Sequence, residues 1–311
     1  MKRLLTLCVV FFAVSCAGPV ERIPPVQVLR TVKPPAVTGS IQLVFDGMLG
    51  KKGDIRSPWG ISFGVDGTLY VCDRDKSSIV RLNSEGEIIS RFDSYTNRTE
   101  RLYAPIDVCS SSGIEVYGVD ASNSRVLRFD RNLKNGFTIY RGGTKELRLF
   151  GSFNGLAYDR ISGDLYITDR DAGTVIRVDM LGGSVRSLGG FGSERKSFGE
   201  PAGLDIDADG VLYIADTENG SVAVVRKFGS TIDFIGEGVL EAPVDAAVMP
   251  DGRIAVADRN GIVILSSTGI AEAFAGFGDD REMLPRSVAF DSGKVFVSDG
   301  KSASILVYRV E

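Results

Sequence analysis

Residues 69–73 read Leu69-Tyr-Val-Cys-Asp73, and five similar apolar strands that end in an aspartate follow along the chain. Successive aspartates lie 47, 49, 47, 42 and 41 residues apart, so that six units fill residues 41–311. A nearly constant period of this length indicates a repeat architecture. We name these residues the repeat aspartates: Asp73, Asp120, Asp169, Asp216, Asp258 and Asp299.

Each unit contains the signals of four short strands. A landmark residue, proline in five units and Phe153 in the third, precedes each repeat aspartate by 14 to 16 residues and opens the first strand. Asp-Gly steps, for example at 66–67 and 209–210, supply the positive φ of a tight hairpin before the second strand. Two further strands follow the aspartate, as at 79–82 and 88–92. Four antiparallel strands per period, without the 3.6-residue period of helices, predict an all-β, six-bladed propeller.

The two ends of the repeat region complete each other. The sixth unit stops at Glu311 just after its third strand, whereas Ile41-Gln-Leu-Val-Phe45 precedes the first unit without a hairpin partner. We therefore expect a strand at about residues 41–46 to pair with residues 305–309 as the missing outer strand of the last blade. This pairing closes the ring and leaves no open blade.

The repeat unit resembles the NHL repeat of six-bladed β-propellers. The resemblance covers essentially all of residues 41–311 and rests on Pro-x-Gly-Ile/Leu, a hairpin, Leu-Tyr-Val/Ile-x-Asp, a polar loop and a further strand. The second unit matches most fully, because Asp120, Asn123 and Arg125 stand at the positions of Asp-x-x-Asn-x-Arg. Other units replace the arginine, as at Ser78, Thr174 and Ser221. The resemblance therefore implies the architecture and singles out no subfamily.

The N-terminus predicts an exported and lipid-anchored protein. A basic head, a run of eleven mainly apolar residues and a small-residue end fit a bacterial signal peptide at residues 1–15, and this run is too short to cross a bilayer. Residues 13–16, Ala-Val-Ser-Cys, resemble the lipobox of bacterial lipoproteins, which implies lipidation of Cys16. Plain secretion with an unmodified Cys16 is the alternative. Residue 17 is alanine and not aspartate, which this resemblance associates with transfer to an outer membrane. We therefore expect an exported protein, anchored by its lipid in the periplasm or at the outer membrane.

Residues 16–40 predict a tether between the membrane and the propeller. This segment contains five prolines and no apolar periodicity, as expected of an extended, semi-rigid linker. Without the signal peptide the chain has 34 basic and 40 acidic residues, a net charge of −6. An acidic chain with no basic tract is a poor candidate for binding nucleic acid or anionic lipid. We expect a monomeric propeller that contacts the membrane through its lipid anchor only.

The composition limits the chemistry of the chain. It contains no histidine, the residue most often used as a general base, a triad member or a zinc or haem ligand. Propeller enzymes that act through histidine, such as zinc-dependent amidating lyases and quinoprotein sugar dehydrogenases, are therefore excluded. No cysteine pair has metal or haem-attachment spacing. Cys72 and Cys109 lie in adjacent units and form either two buried thiols or a disulfide.

The repeat aspartates are expected to be structural rather than catalytic. An aspartate that ends a strand before a small polar loop can accept hydrogen bonds from the N–H groups of that loop. Because the residue recurs in every unit, its presence does not indicate a single metal or catalytic site.

The two positions after each landmark residue are more informative, because they differ between units. They lie where the innermost strand enters the central channel and should surround one mouth of it. The candidate ligand-binding residues there are Trp59, Asp107, Asn154, Asp245 and Arg286. Asp107 and Asp245 belong to the second and fifth units, which face each other across a six-membered ring. The alternative is a plug, in which Trp59 is a lid and Arg286 pairs with an aspartate.

Two functions are compatible with this pattern, and neither yields an assigned catalytic residue. The first is a non-catalytic binding or scaffold protein that presents its loops to an exported protein, peptide or glycan; the long, dissimilar segments 93–103 and 141–152 favour it. The second is a hydrolase that resembles calcium-dependent gluconolactonases. In that case Asp107, Asn154 and Asp245 would hold calcium, and an aspartate would act as the base. The gluconolactonase family supplies a glutamate at these strand-entry positions, and this chain has none there.

Overall fold

The protein is a closed, six-bladed β-propeller. The computed structural model describes residues 35–39, 41–50, 53–94, 100–142, 151–180, 183, 185–190, 198–226, 228–229, 231–259, 261–276 and 283–311. These residues form 24 strands in six four-stranded antiparallel sheets, and their helical content is one 3-10 turn at Ala121–Asn123. The predicted all-β fold and its six blades are confirmed.

Five blades are continuous in sequence. Blade 1 contains β2 (Pro58–Phe63), β3 (Leu69–Asp73), β4 (Ser78–Leu82) and β5 (Ile88–Asp93). Blade 2 contains β6 (Pro105–Ser110), β7 (Glu115–Asp120), β8 (Arg125–Asp130) and β9 (Phe137–Arg141). Blade 3 contains β10 (Phe153–Tyr158), β11 (Leu165–Asp169), β12 (Thr174–Val178) and β13 (Val185–Gly189). Blade 4 contains β14 (Pro201–Ile206), β15 (Leu212–Asp216), β16 (Ser221–Arg226) and β17 (Thr231–Ile235). Blade 5 contains β18 (Pro243–Val248), β19 (Ile254–Asp258), β20 (Gly261–Leu265) and β21 (Ala271–Gly276).

Blade 6 joins the two ends of the described chain. Its strands are β22 (Pro285–Asp291), β23 (Lys294–Asp299), β24 (Ser304–Val310) and, outermost, β1 (Leu43–Leu49). Leu43 pairs with Val310, and Leu49 pairs with Ile305. The predicted ring closure is confirmed, but the strand continues to residue 49 instead of ending near 46. A bulge at Asp46 is absorbed by Gly47, whose φ of 131° few other residues adopt, so the pairing resumes beyond it.

The hydrophobic core lies between the blades. The buried residues divide into six clusters, one at each junction of adjacent blades. The second strand of a blade is covered on both faces by its neighbours, and β3 is accordingly buried at all five positions. This explains why these strands are almost continuously apolar in sequence and do not alternate.

The repeat aspartates bind backbone within their own blade. Asp73 accepts hydrogen bonds from the N–H groups of Arg56 and Ser57, at 3.0 and 3.1 Å, just before the landmark proline. It also accepts one from Lys76 in its own loop, at 3.4 Å. The other five make equivalent bonds to the segment before the first strand. Each aspartate therefore fixes both the loop that follows it and the entry to the blade.

Blade 2 adds a side-chain network to this arrangement. Asn123 Nδ2 and Arg125 Nε donate to the same oxygen of Asp120, at 2.6 and 3.1 Å. Arg125 is almost fully buried and also binds Glu100. The Asp-x-x-Asn-x-Arg residues thus meet around one buried carboxylate.

Other expectations from the sequence are only partly covered by this structure. Cys72 and Cys109 are buried free thiols. Residues 1–34, which contain the expected signal peptide, Cys16 and most of the tether, lie outside the described residues. Within the tether, Thr38 donates its N–H to the carbonyl of Ala271 on blade 5, at 3.1 Å. No helix in the described part of the chain is long and apolar enough to cross a membrane.

Candidate functional site

The candidate residues meet at one end of the central channel, which we call the mouth. The first strand of each blade begins there with its landmark residue. A cavity of about 150 Å³ at this end is lined by residues that include Trp59, Asp107, Asn154, Asp245 and Arg286. The structure therefore brings together all five residues nominated from the sequence.

Asp107 and Asp245 are held by hydrogen bonds to the next blade. Asp107 Oδ1 accepts the N–H of Val108 at 2.9 Å, and its Oδ2 accepts that of Leu156 in blade 3 at 2.6 Å. Asp245 Oδ1 likewise accepts the N–H of the next residue, Ala246, at 2.9 Å. Its Oδ2 accepts the hydroxyl of Ser287 at 2.6 Å and the N–H of Val288 at 2.9 Å, both in blade 6. Every oxygen of the two carboxylates is therefore engaged by the fold.

These aspartates also require a glycine in the preceding blade. A Cβ built on Gly60 would lie 2.2 Å from Oδ1 of Asp107, and one built on Gly203 would lie 2.0 Å from Oδ1 of Asp245. Both distances are far below van der Waals contact. The different residues at the second position after each landmark, glycine in some blades and aspartate in others, are thus explained by close packing between neighbours.

The buried carboxylates are electrostatically strained. Burial, with a further contribution from the nearby Asp245, raises the pKa of Asp107 well above its usual value. Burial likewise raises the pKa of Asp245 to about 7, although hydrogen bonds from Ser287, Val288 and Ala246 oppose this shift. Asp205, which holds Val248 of the next blade at 2.9 Å, adds repulsion. Among the described residues, Arg286 makes no ion pair with Asp107 or Asp245.

Arg286 lies instead against Trp59. Its guanidinium carbon is 4.5 Å from the centroid of the indole ring, and the guanidinium carbon of Arg74 lies at the same distance. Such contacts are favourable cation–π interactions. Arg286 Nε is buried without a hydrogen-bond partner in the described part of the chain. Burial, followed by the charge of Arg74, lowers the pKa of Arg286.

Sequence reasoning missed the position directly after each repeat aspartate, where Arg170 and Thr217 line the mouth cavity and Arg74 contacts Trp59. In order around the ring the residues are Arg74, Ala121, Arg170, Thr217, Arg259 and Gly300. Arginine thus occurs in blades 1, 3 and 5. Arg170 is paired with Glu200 at 2.8 Å, whereas Arg74 and Arg259 have no ion pair among the described residues. Aligning the six units one residue further would have revealed this set.

Two further arginines, Arg56 and Arg101, lie at the rim. Arg56 faces Asp75 at 3.8 Å, and both side chains are mostly exposed. The carbonyl of Arg101 accepts a hydrogen bond from Arg125. Of the long segments expected to carry recognition, residues 95–99 and 143–150 lie outside the described residues.

A larger cavity occupies the opposite end of the channel. It has a volume of about 470 Å³ and is lined by residues that include Phe63, Tyr158, Arg160, Asp205 and Phe290. Asp107 and Asp245 line both cavities. The larger cavity adds several aromatic side chains and Asp205, whereas the mouth adds a single indole ring and two arginines. The sequence analysis did not identify the larger cavity, because the residues follow the strands and not the landmark positions.

The predicted calcium ligands fit such an ion poorly. Calcium takes six to eight oxygen ligands, but the oxygens of Asp107 and Asp245 already accept hydrogen bonds from the backbone. Within the described residues, no group of three or more acidic or cysteine side chains is arranged to hold a metal.

Comparison with known proteins supports the repeat assignment. The geometry defines a closed six-bladed propeller with a small pocket at the channel mouth. Residues 198–225 match the family described as NHL repeat. The chain is 34% identical over 82 residues to NHL-repeat-containing protein 4 of Mus musculus, and 30% identical over 96 residues to the Homo sapiens protein of that name. These matches cover 26% and 30% of this chain, and 60% and 77% of the respective relatives. The chain belongs to the family of NHL-repeat proteins.

Solved structures share the fold over most of the chain. A gluconolactonase from Xanthomonas campestris aligns with a TM-score of 0.66 at 14% identity, and the alignment covers 90% of this chain and 96% of the gluconolactonase. An auxiliary nutrient binding protein from Bacteroides thetaiotaomicron has a TM-score of 0.65 at 17% identity, over 87% and 76%. A streptogramin B lyase has a TM-score of 0.62 at 14% identity, over 87% and 98%. At these identities the likeness establishes the architecture, which both enzymes and binding proteins use.

Proposed function

We propose that this protein is a non-catalytic binding or scaffold propeller that presents its mouth to an exported protein, peptide or glycan. The observation that carries the proposal is the contrast at the mouth between engaged carboxylates and unpaired guanidinium groups. Asp107 and Asp245 are occupied by the neighbouring blades, whereas Arg74 and Arg286 lie beside Trp59 without an ion pair among the described residues.

The same contrast argues against catalysis at the mouth. A general base must be free to take a proton from the substrate or from water. Here each candidate carboxylate oxygen accepts at least one hydrogen bond from the backbone or from Ser287. Moving such a group toward a substrate would break contacts between blades. Recognition by an arginine and an indole ring requires no such movement.

The location follows from the sequence of the N-terminus. We propose that the chain is exported, that Cys16 is lipidated, and that residues 16–40 hold the propeller off a membrane in the periplasm or at the outer membrane. Cys16→Ser should move the protein from the membrane to the soluble fraction of a bacterial host that processes lipoproteins. Unchanged membrane association of the variant would contradict the anchor.

Site-specific cross-linking tests the binding role. A photo-cross-linking residue at Glu218, exposed on a loop at the mouth, is compared with one at Ile89, exposed on the outer strand β5. We expect a discrete cross-linked species from position 218 and none from position 89, in cells that export the full chain. Equal cross-linking from both positions would contradict recognition at the mouth.

A calcium-dependent lactonase or esterase is the second candidate. The observation in its favour is that Asp107, Asn154 and Asp245 line one cavity, although they fit calcium poorly. Its test is calcium-dependent thermal stabilisation together with hydrolysis of lactones or esters. Activity that is lost in both Asp107→Ala and Asp245→Ala would replace the binding function with this one.

A further inference from the structure

Two guanidinium groups share the Trp59 ring at the mouth without an ion pair among the described residues, and the carboxylate of Asp299 acts on Arg286 only from outside ion-pair distance. The guanidinium carbons of Arg74 and Arg286 each lie 4.5 Å from the ring centroid of Trp59. None of the ion pairs formed among the described residues involves either of them. The charge of Arg74 acts unfavourably on Arg286, and an anion bound near both groups would relieve this repulsion.

Arg286 also has a buried hydrogen-bond donor without a partner. Its Nε atom is buried without an acceptor in the described chain, beside Gly300, where a built Cβ would lie 3.0 Å away. Buried donors in folded proteins are nearly always paired. Gly300 follows the repeat aspartate of blade 6, and Arg74 holds the same position in blade 1. The glycine of blade 6 leaves space for Arg286, and blade 1 supplies the second guanidinium group.

We propose that the mouth binds a carboxylate, held by Arg74 and Arg286 at the edge of the Trp59 ring. Arginine donates two parallel hydrogen bonds to a carboxylate, a geometry that a single ammonium group cannot reproduce. The inference rests on the proposed function and names the chemical class of the ligand at that same site.

The cavity beside this ring is lined by Arg286 and Arg170, whereas Arg74 contacts the ring without lining the cavity. The other lining residues fit a small monoanion. The amide of Asn154 has no hydrogen-bond partner among the described residues, so its N–H groups can donate to an anion. Thr217 gives its hydroxyl hydrogen to the carbonyl of Pro243 at 2.7 Å and therefore offers the anion no donor. Asp107 and Asp245 line the inner side of the same cavity. When ionised, these two groups disfavour a dianion such as phosphate more than a carboxylate. A volume of about 150 Å³ suits a single carboxylate-bearing residue of a larger ligand.

The test compares matched pairs of charged and neutral probes by isothermal titration against the purified full chain. D-Glucuronate is paired with D-glucose, and N-acetylalanine with N-acetylalaninamide. We expect at least one carboxylate to bind about tenfold or more tightly than its neutral partner, because charged hydrogen bonds contribute that much. The pair that binds distinguishes an acidic sugar from a peptide end.

Variants locate the binding. Arg74→Met and Arg286→Met should each weaken carboxylate binding by about tenfold, whereas Arg56→Met, on the same rim but facing Asp75, should leave it unchanged. Arg74 is exposed, so its variant keeps the test decisive if Arg286→Met fails to fold. Equal binding of charged and neutral probes, or equal losses in all three variants, would overturn the proposal.

The failure of this inference differs from the failure of the proposed function. A cross-linked partner at position 218 without binding of either carboxylate would overturn the ligand class and leave the binding role intact. Hydrolysis of lactones that depends on Asp107 and Asp245 would overturn the binding role itself. Inorganic sulfate that displaces the carboxylates at equal concentration would indicate a non-selective anion site and would also overturn the inference.

Discussion

The repeat aspartates and the channel wall use the same chemistry for different connections. Each repeat aspartate accepts backbone N–H groups from its own blade, and all six do so in the same way. The channel-wall side chains bind the next blade, and their identities change from one junction to the next: Asp107, Thr168, Asp205, Asp245 and Ser287. Bonds within a blade recur because every blade must close in the same way, whereas junctions need only a suitable partner.

This difference bears on how a functional site is recognised in a propeller. A residue that recurs in every blade is explained by the blade, as for Asp73. A residue that differs between blades is not thereby functional, because Asp107 and Asp245 differ from their equivalents and still serve as links between blades. The stronger indication is a charged group that neither a blade nor a junction satisfies, as for Arg286.

The largest effect is expected from a repeat aspartate that also holds a buried arginine. Asp120→Ala should lower the free energy of unfolding by about 3 kcal/mol, the lower end of the range for breaking a buried ion pair, because Glu100 remains to pair with Arg125. Asp258→Ala removes only bonds to backbone N–H groups and should lower it less. Urea denaturation of both variants measures the difference. Equal losses would contradict a special role for the network in blade 2.

A glycine at a junction should give the next largest effect. Gly203→Ala would place a Cβ 2.0 Å from Asp245 Oδ1, and overpacking of this kind lowers stability by about 1–3 kcal/mol. The double variant Gly203→Ala/Asp245→Gly should lose less stability than the two single variants lose together, because it has no Oδ1 atom for the new Cβ to clash with. Additive losses in urea denaturation would mean that the two residues are not coupled.

The fold was predictable from sequence because its requirements repeat. The Leu-Tyr-Val/Ile-x-Asp strand and the unpaired segment before the first unit sufficed to predict six blades and the closure of β1 on β24. The mouth residues were also brought together as expected, because they occupy equivalent positions. Their roles were not predictable, since the partner of Asp107 is the backbone of Leu156, 49 residues away. Backbone partners have no side-chain signature that a single sequence could display.

The protonation of Asp245 provides a pH-dependent test of the channel wall. Its pKa is raised from 3.8 to about 7 in the folded state, so between these values the folded protein binds more protons than the unfolded chain. The free energy of unfolding should therefore fall as the pH rises from about 4 to about 7. Asp245→Asn should reduce this decrease in the free energy of unfolding. Asp251→Asn is the control: Arg253 lowers the pKa of Asp251, so this variant should change the pH dependence only below about pH 4. An unchanged slope in Asp245→Asn, measured by urea denaturation across this range, would contradict the assignment.

The smallest effect is expected for an exposed carboxylate that binds neither the backbone of its own blade nor that of the next blade. Asp46, on the bulge of the closing strand, pairs with Lys294 at 2.8 Å and Arg309 at 3.0 Å. Backbone bonds to β24 hold this strand on both sides of the bulge, so the ion pairs add little to the closure. Asp46→Asn should lower the melting temperature slightly at low ionic strength and not at all in 1 M salt, where exposed charges are screened over about 3 Å. A drop that persists in 1 M salt would mean that Asp46 shapes the bulge itself, as the repeat aspartates shape their loops.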